Sequence, residues 1–333
     1  MFYIVVLLLF FLSFLRWERG TDWDSYYNIF INEGFRSWDD HTEIGYLYLN
    51  KLVRKFTDNY TIFLFVQSFI YFTILVLFLK KINSYISYIY NIKSNLYSTI
   101  LLYIFSTDFA GLFLARSPIA YLICLYSIFD IIENRTKSFF FKILIASLIH
   151  KSSILFIFIY PLINYFKFNI RYIIILSIFI VILFSLSSYY SVILDKLGMI
   201  DYFDYIGNER RNSIISIIKW LLIFLLMIIS LKKIKSNDFL FNSIVLIYPI
   251  GFILFIWSQI YSTVAQRIAG LFLITTWIFI PYLFNFIYKK NILVYFLFII
   301  FCILNLWSQL NGAYSKLYVP FKFVWDNFYV ETF

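Results

Sequence analysis

The chain has 333 residues, of which 62% are hydrophobic and 14% are charged. An ordinary soluble domain has about a quarter charged residues and under half apolar ones, so this composition excludes a soluble globular protein. The formal net charge of +10 would indicate an acidic partner, such as nucleic acid, if the chain were soluble. Because the apolar residues come in long blocks, the sequence instead predicts an all-α polytopic membrane protein.

About eleven membrane elements are predicted from these blocks, since a span needs about 20 apolar residues. In chain order the blocks are 2–15, 60–79, 96–115, 118–132, 139–149, 154–166, 172–188, 214–231, 239–257, 268–286 and 292–307. The first block has its basic residues after the apolar run, so we interpret it as an uncleaved anchor. The whole chain, 1–333, is expected to form a single integral membrane domain.

The basic residues predict the topology, because Lys and Arg in short loops mark the cytoplasmic side. With the N-terminus inside, the cytoplasmic loops hold thirteen Lys and Arg against two acids. The opposite loops, chiefly 16–59 and 189–213, mix both signs. This alternation requires 139–166 to cross twice or to re-enter, with its break at His150. The excess positive charge is therefore a topology signal, and no nucleic-acid partner is expected.

Cationic residues from separate external connections carry the strongest functional signal. These are Arg16, Arg116, His150, Lys151 and Arg267. Each has a plain alternative interpretation, as a headgroup anchor or, for His150, a helix cap or buried structural residue. Together they suit a diphosphate at the outer interface, because arginine presents a planar fork of donors to phosphate oxygens. Since the chain has no nucleotide motif, a lipid-linked diphosphate is favoured.

Two carboxylates in the first external loop are candidate bases. Asp22 lies among aromatic residues, a composition that suits sugars. Glu43 precedes a predicted interfacial helix, where it is either an N-terminal acid favoured by the helix dipole or a base facing the site. No cluster of Cys and His has the spacing of metal ligands, so neither a metal nor a cofactor is expected.

Several short motifs resemble the EpsG-like family of polysaccharide polymerases, which includes many Wzy-type O-antigen polymerases. The motifs are Arg16, Gly20-Thr21-Asp22 with Tyr26, Glu43-Ile44-Gly45-Tyr46, Arg116-Ser117-Pro118-Ile119-Ala120, His150-Lys151-Ser152-Ser153 ahead of Pro161, and Arg267-Ile268. They cover most of the chain in the same order. Ser117 departs from the family, which often has glutamine at that position.

The resemblance implies a membrane glycosyltransferase of GT-C-like architecture in the bacterial cytoplasmic membrane, with its active site facing outward. Such an enzyme transfers a growing glycan from undecaprenyl diphosphate to the next lipid-linked repeat unit. A chain-length regulator protein is an optional partner. We assign Arg16, Arg116, Arg267 and Lys151 to the diphosphate, and catalytic roles to Asp22, Glu43 and His150, with either carboxylate as the base.

Two alternatives stay open at this point. One is an O-antigen ligase-like transferase, which usually has a long external loop late in the chain, whereas the large loop here comes early. The other is a flippase or transporter of lipid-linked oligosaccharide. A flippase should carry ionisable residues along a path through the membrane, whereas here they cluster at one face, with Lys219 as the main exception.

Overall fold

The computed structural model describes residues 2–20, 23–32, 42–91, 103–104, 116–165, 214–231, 238–261, 263–286, 292–311 and 321–325. Within these ranges the chain is helical, and the one extended pairing is an isolated antiparallel bridge between Arg16 and Phe323. The predicted all-α class is confirmed for this part of the chain. Predicted blocks 96–115 and 172–188, and the loop 189–213, lie wholly or almost wholly outside the described residues.

Twelve α-helices and one 3₁₀ helix lie within the described ranges. In chain order they are α1 (Phe2–Phe14), α2 (Trp23–Ile31), α3 (Ile44–Arg54), α4 (Tyr60–Tyr90), α5 (Ser117–Ile132), α6 (Thr136–Ile149), a 3₁₀ helix (Lys151–Phe158), α7 (Ile159–Tyr165), α8 (Ile214–Leu231), α9 (Phe239–Tyr261), α10 (Thr263–Leu273), α11 (Thr276–Phe286) and α12 (Ile292–Asn311). The break predicted at His150 is therefore present.

Two of the described helices are long and apolar enough to cross a membrane, Tyr60–Tyr90 and the Phe239–Ile256 part of α9. Large apolar side chains are also exposed along several helices. Examples on α1, α4, α8 and α12 are Ile4, Leu8, Phe65, Phe69, Ile218, Leu222, Ile303 and Leu304. Exposed apolar surface on this scale is costly in water and suits lipid tails.

Helix α1 packs along α4 through one face. Phe10 makes edge-to-face contacts with Phe65 and Phe72. Between the two helices the hydroxyls of Ser13 and Ser68 form a buried hydrogen bond of 2.8 Å. Small hydroxyl residues at a helix contact let the backbones approach and supply a polar link, which is how helices associate in lipid.

The described chain divides into two compact units. The first comprises Met1–Ser127, Phe141–Lys151 and Ile280–Phe333, and the second comprises Ile128–Phe140 and Ser152–Phe279. In the second unit, α9 lies against α10 so closely that a Cβ on Gly251 would meet the Leu273 backbone nitrogen at 2.8 Å. Glu43, Arg116, His150 and Lys151 belong to the first unit, and Arg267 to the second.

Two predicted element boundaries are wrong. Block 60–79 continues as helix to Tyr90, because hydropathy marks the apolar part of a helix and not its end. At 31 residues α4 is about 46 Å long and exceeds the ~30 Å apolar layer. Block 268–286 is broken at residues 274–275, where the buried Thr275 hydroxyl donates to the Phe272 carbonyl at 2.7 Å. Such a local side-chain bond competes with the helical ladder.

Candidate functional site

Glu43 stands immediately before α3, in extended backbone with φ −70° and ψ 139°. Its carbonyl accepts the first helical hydrogen bond from Leu47, yet its carboxylate makes no capping bond to its own helix. The side chain is nonetheless buried, with an exposed fraction of 5%. The simple interpretation of Glu43 as an N-terminal cap is therefore insufficient, because its partners lie elsewhere.

Gly45 explains how α3 reaches those partners. A Cβ at this position would lie 2.7 Å from the carbonyl oxygen of Leu148, near the end of α6. Only glycine allows the first turn of α3 to approach the α6 backbone so closely. This approach brings Glu43 beside the break between α6 and the 3₁₀ helix, where His150 and Lys151 stand.

Two donors and an imidazole surround the Glu43 carboxylate. Nη1 of Arg116 forms an ion pair with Oε2, and the Lys151 backbone N–H donates to Oε1 at 3.0 Å. Nδ1 of His150 lies 3.3 Å from the same Oε1. Residues separated by more than 100 positions in sequence therefore meet at one carboxylate, and three of the predicted site residues come together with it.

Arg116 is held by aromatic rings as well as by Glu43. Its carbonyl accepts the Ala120 N–H at 3.2 Å and so begins α5. Its guanidinium carbon lies 5.3 Å from the ring centre of Tyr26 and 5.6 Å from that of Tyr46. Nε also donates to the Tyr26 hydroxyl at 3.3 Å. Two cation–π contacts, to rings that also touch each other, hold the guanidinium in place.

We call Tyr26, Glu43, Tyr46, Arg116 and His150 the Glu43 cluster. Burial alone would raise the pKa of the Glu43 carboxyl, but the His150 contact, the Arg116 charge and the Lys151 N–H together lower it from 4.5 to about 2. Burial would lower the pKa of Arg116, but Tyr26 and Glu43 raise it above its ordinary value. The pair is therefore fully charged at neutral pH, and Glu43 is a weak proton acceptor.

His150 ends α6 and begins the break. Its backbone N–H donates to the Ala146 carbonyl at 2.8 Å, and the next residue is already in the 3₁₀ helix. Its ring packs edge-on against Tyr121 with the centres 5.6 Å apart. Both ring nitrogens are buried, and within the part of the chain that the structure describes Nδ1 has only its 3.3 Å approach to Glu43, whereas Nε2 makes no polar contact. The side chain of the neighbouring Lys151 is exposed, so Lys151 serves the cluster through its backbone.

Arg16 lies in the same unit but in another setting. It is 2% exposed, and its backbone pairs with Phe323. On either side of this bridge, Trp17 N–H donates to the Lys322 carbonyl and Val324 N–H to the Leu15 carbonyl, each at 2.9 Å. The positive charge of Arg16 interacts electrostatically with the Tyr60 hydroxyl. Nothing in the sequence signalled this pairing of the first external loop with residues 321–325.

A buried aromatic group supports this region of the first unit. It contains Trp23, Tyr26, Phe30, Tyr46, Tyr60 and Phe63, with Trp17 and Tyr27 packed against it. Tyr26 touches Tyr46 on one side of this group, and Tyr60 touches Trp23 on the other. Helices α2, α3 and α4 are therefore joined by rings at the level of the Glu43 cluster.

Two predicted site residues are not placed by these contacts. Asp22 lies outside the described residues. Arg267 belongs to α10, and only its backbone is described. Residues that sequence reasoning passed over are Tyr121, whose only signal was its position in an apolar block, and Tyr46 as a partner of Arg116.

Comparison with known families decides the classification. The EpsG family model matches residues 1–323, nearly the whole chain. The chain belongs to the EpsG family. No curated protein and no solved structure matches it.

Membership of the EpsG family confirms the resemblance based on the short motifs. It supports a role in polysaccharide biosynthesis, of the polymerase type, for a membrane protein. The residues of the Glu43 cluster all fall within the EpsG match. The described helices, with their exposed apolar side chains, agree with a membrane protein.

Proposed function

We propose that this protein polymerises undecaprenyl-diphosphate-linked oligosaccharide repeat units into O-antigen or a related surface polysaccharide. The growing chain passes from its lipid carrier to the sugar of the next lipid-linked unit. The observation that carries the proposal is the Glu43 cluster, in which a fixed arginine, a carboxylate and an imidazole converge from three distant segments.

Arg116 is assigned to the diphosphate of the donor. Its Nε and Nη1 are engaged by Tyr26 and Glu43, and within the described residues Nη2 makes no hydrogen bond. The guanidinium is thus held in place with one donor edge left for a ligand. A diphosphate leaving group needs charge stabilisation in the transition state, and a preorganised cation supplies it without reorganisation.

The remaining site residues are given the roles that the sequence analysis predicted for them. Arg16, Arg267 and Lys151 supply further donors to the diphosphate, and Asp22 is a ligand of the acceptor sugar. The transition state is oxocarbenium-like by analogy with glycoside hydrolysis. Arginines carry the charge that a metal would otherwise balance, so the reaction as proposed uses neither metal nor nucleotide.

The proposed architecture is GT-C-like, with about eleven spans in the bacterial cytoplasmic membrane and the site on the external face. Backbone pairing between residues 15–17 and 322–324 supports an odd number of spans. The two segments must lie on one side of the membrane, and an odd number places the end of the first span and the end of the chain on the same side.

Deletion of the gene in its native host tests the proposed function. Without a polymerase, surface polysaccharide on a gel should show core bearing a single repeat, and the wild-type gene should restore the ladder. A bare core would contradict the proposal, because it is the result of losing a ligase or a flippase. An unchanged ladder would contradict it too.

A further inference from the structure

Polymerisation as proposed needs a base for the acceptor hydroxyl, and the surroundings of Glu43 are unsuited to that task. One of its oxygens accepts from the Lys151 N–H and faces His150, and the other is paired with Arg116. Every contact of this carboxylate stabilises its charged form. A carboxylate held this way accepts a proton poorly.

The imidazole of His150 is oriented by these same contacts. Nδ1 lies against Glu43, so Nε2 occupies the opposite edge of the ring. The titratable or charged groups that face the ring are Glu43 from the start of α3 and Tyr121 from α5, with Arg116 reaching it through Glu43. A buried imidazole nitrogen without a hydrogen bond is destabilising, and a hydrogen bond from a ligand hydroxyl would offset that cost.

We propose that Nε2 of His150 is the general base that takes the proton of the acceptor hydroxyl, and that Glu43 is a positioning residue that orients His150 and Arg116. This inference rests on the proposed polymerase function and adds the identity of its base. A single carboxylate thereby fixes the separation between the base and the cation that binds the leaving group.

The acceptor hydroxyl gives its proton to Nε2 as its oxygen bonds to the anomeric carbon of the donor sugar. The bond from that carbon to the diphosphate oxygen breaks, and its electron pair leaves with the lipid diphosphate beside Arg116. Glu43, 3.3 Å from Nδ1, stabilises the imidazolium, which then releases its proton to water.

The test measures initial polymerisation rates between pH 5 and 9, using purified protein in liposomes and lipid-linked repeat units. His150→Asn keeps an amide donor near the Nδ1 position and removes Nε2. We expect its rate to be about 10²–10⁴-fold lower, without the fall in rate on the acid side that we expect of the wild type. Glu43→Gln should be slower than wild type yet keep that fall, because its base is intact.

Two controls make the result decisive. His41→Gln changes the other histidine of the chain and should leave the profile unchanged. His150→Gly should recover activity with added imidazole, which a purely structural role would not allow. If the wild type is active and His150→Asn keeps its profile, or if Glu43→Gln alone loses the acid fall, the base assignment is wrong. A wild type that makes no polymer at any pH contradicts the proposed function instead.

Discussion

Arg116 and Glu43 are mutually dependent, because Glu43 is buried, Arg116 is partly buried and each has the other as its charged partner. A buried ion pair gains little over apolar residues of the same shape, but removing one partner strands the other at a cost of about 3–5 kcal/mol. We therefore attribute the pair to positioning. Its role is to hold the Arg116 cation in place within the Glu43 cluster.

The lowered pKa of Glu43 makes a prediction about stability and pH. Its pKa in the folded protein, about 2, lies below its ordinary value of 4.5, so its contribution is complete above pH 4.5 and is lost as the pH falls towards 2. Between pH 6 and pH 3 the wild type should lose about 2 kcal/mol more than Glu43→Gln. Thermal unfolding in detergent at the two pH values measures this difference. Parallel losses in the two proteins would refute it.

At the scale of elements, the approach of α3 to α6 decides whether the cluster forms. Gly→Ala within a helix normally stabilises it by up to ~1 kcal/mol. Here the new Cβ would meet the Leu148 carbonyl at 2.7 Å, so one helix must move. We expect Gly45→Ala to destabilise the protein by about 1–3 kcal/mol and to abolish polymer formation.

The control for this substitution is the neighbouring residue. Ile44→Ala changes a side chain that is 75% exposed on the same helix, and it should leave polymer length unchanged. Melting temperature and the polysaccharide ladder are the two readouts. A Gly45→Ala protein that is as stable and as active as Ile44→Ala would show that the close approach has no functional consequence.

Sequence reasoning located the elements whose signals are local. The break at His150 and the start of α5 beside Pro118 both follow from the loss of an apolar pattern or from proline in a first turn. No sequence pattern marks the break at Thr275, because Thr275 is buried among apolar residues. Hydropathy describes the environment of a segment, whereas that break depends on one side-chain hydrogen bond.

For the site, residue chemistry predicted the members but not their connections. Glu43, Arg116 and His150 stood out because ionisable residues are rare in such a chain. Their meeting at one carboxylate depends on the packing of α3 on α6, which has no signature except Gly45. The pairing of Arg16 with Phe323 joins segments about 300 residues apart, and no local pattern encodes it.

At the scale of the whole molecule, that pairing predicts which side of the membrane each segment occupies. Single cysteines at Glu18 and Lys322, whose side chains form an ion pair of 2.6 Å, should react together with a membrane-impermeant maleimide added outside intact cells. A cysteine at Lys290 should react only after the membrane is opened, because the basic loops are assigned to the cytoplasm. The native cysteines Cys124 and Cys302 are buried and give little background. Labelling of positions 18 and 322 from opposite sides would contradict the topology.

In the proposed function, the Arg116 site extends a glycan on a lipid diphosphate. A reconstituted reaction tests this by supplying purified protein in liposomes with lipid-linked repeat units alone, without nucleotide. It compares Arg116→Ala with Arg54→Ala, a change in the partly buried arginine that pairs with the exposed Asp58. We expect a ladder of products from the wild type and Arg54→Ala, and a rate at least ~10²-fold lower for Arg116→Ala. Single repeats from the wild type, or an equal ladder from Arg116→Ala, would contradict it.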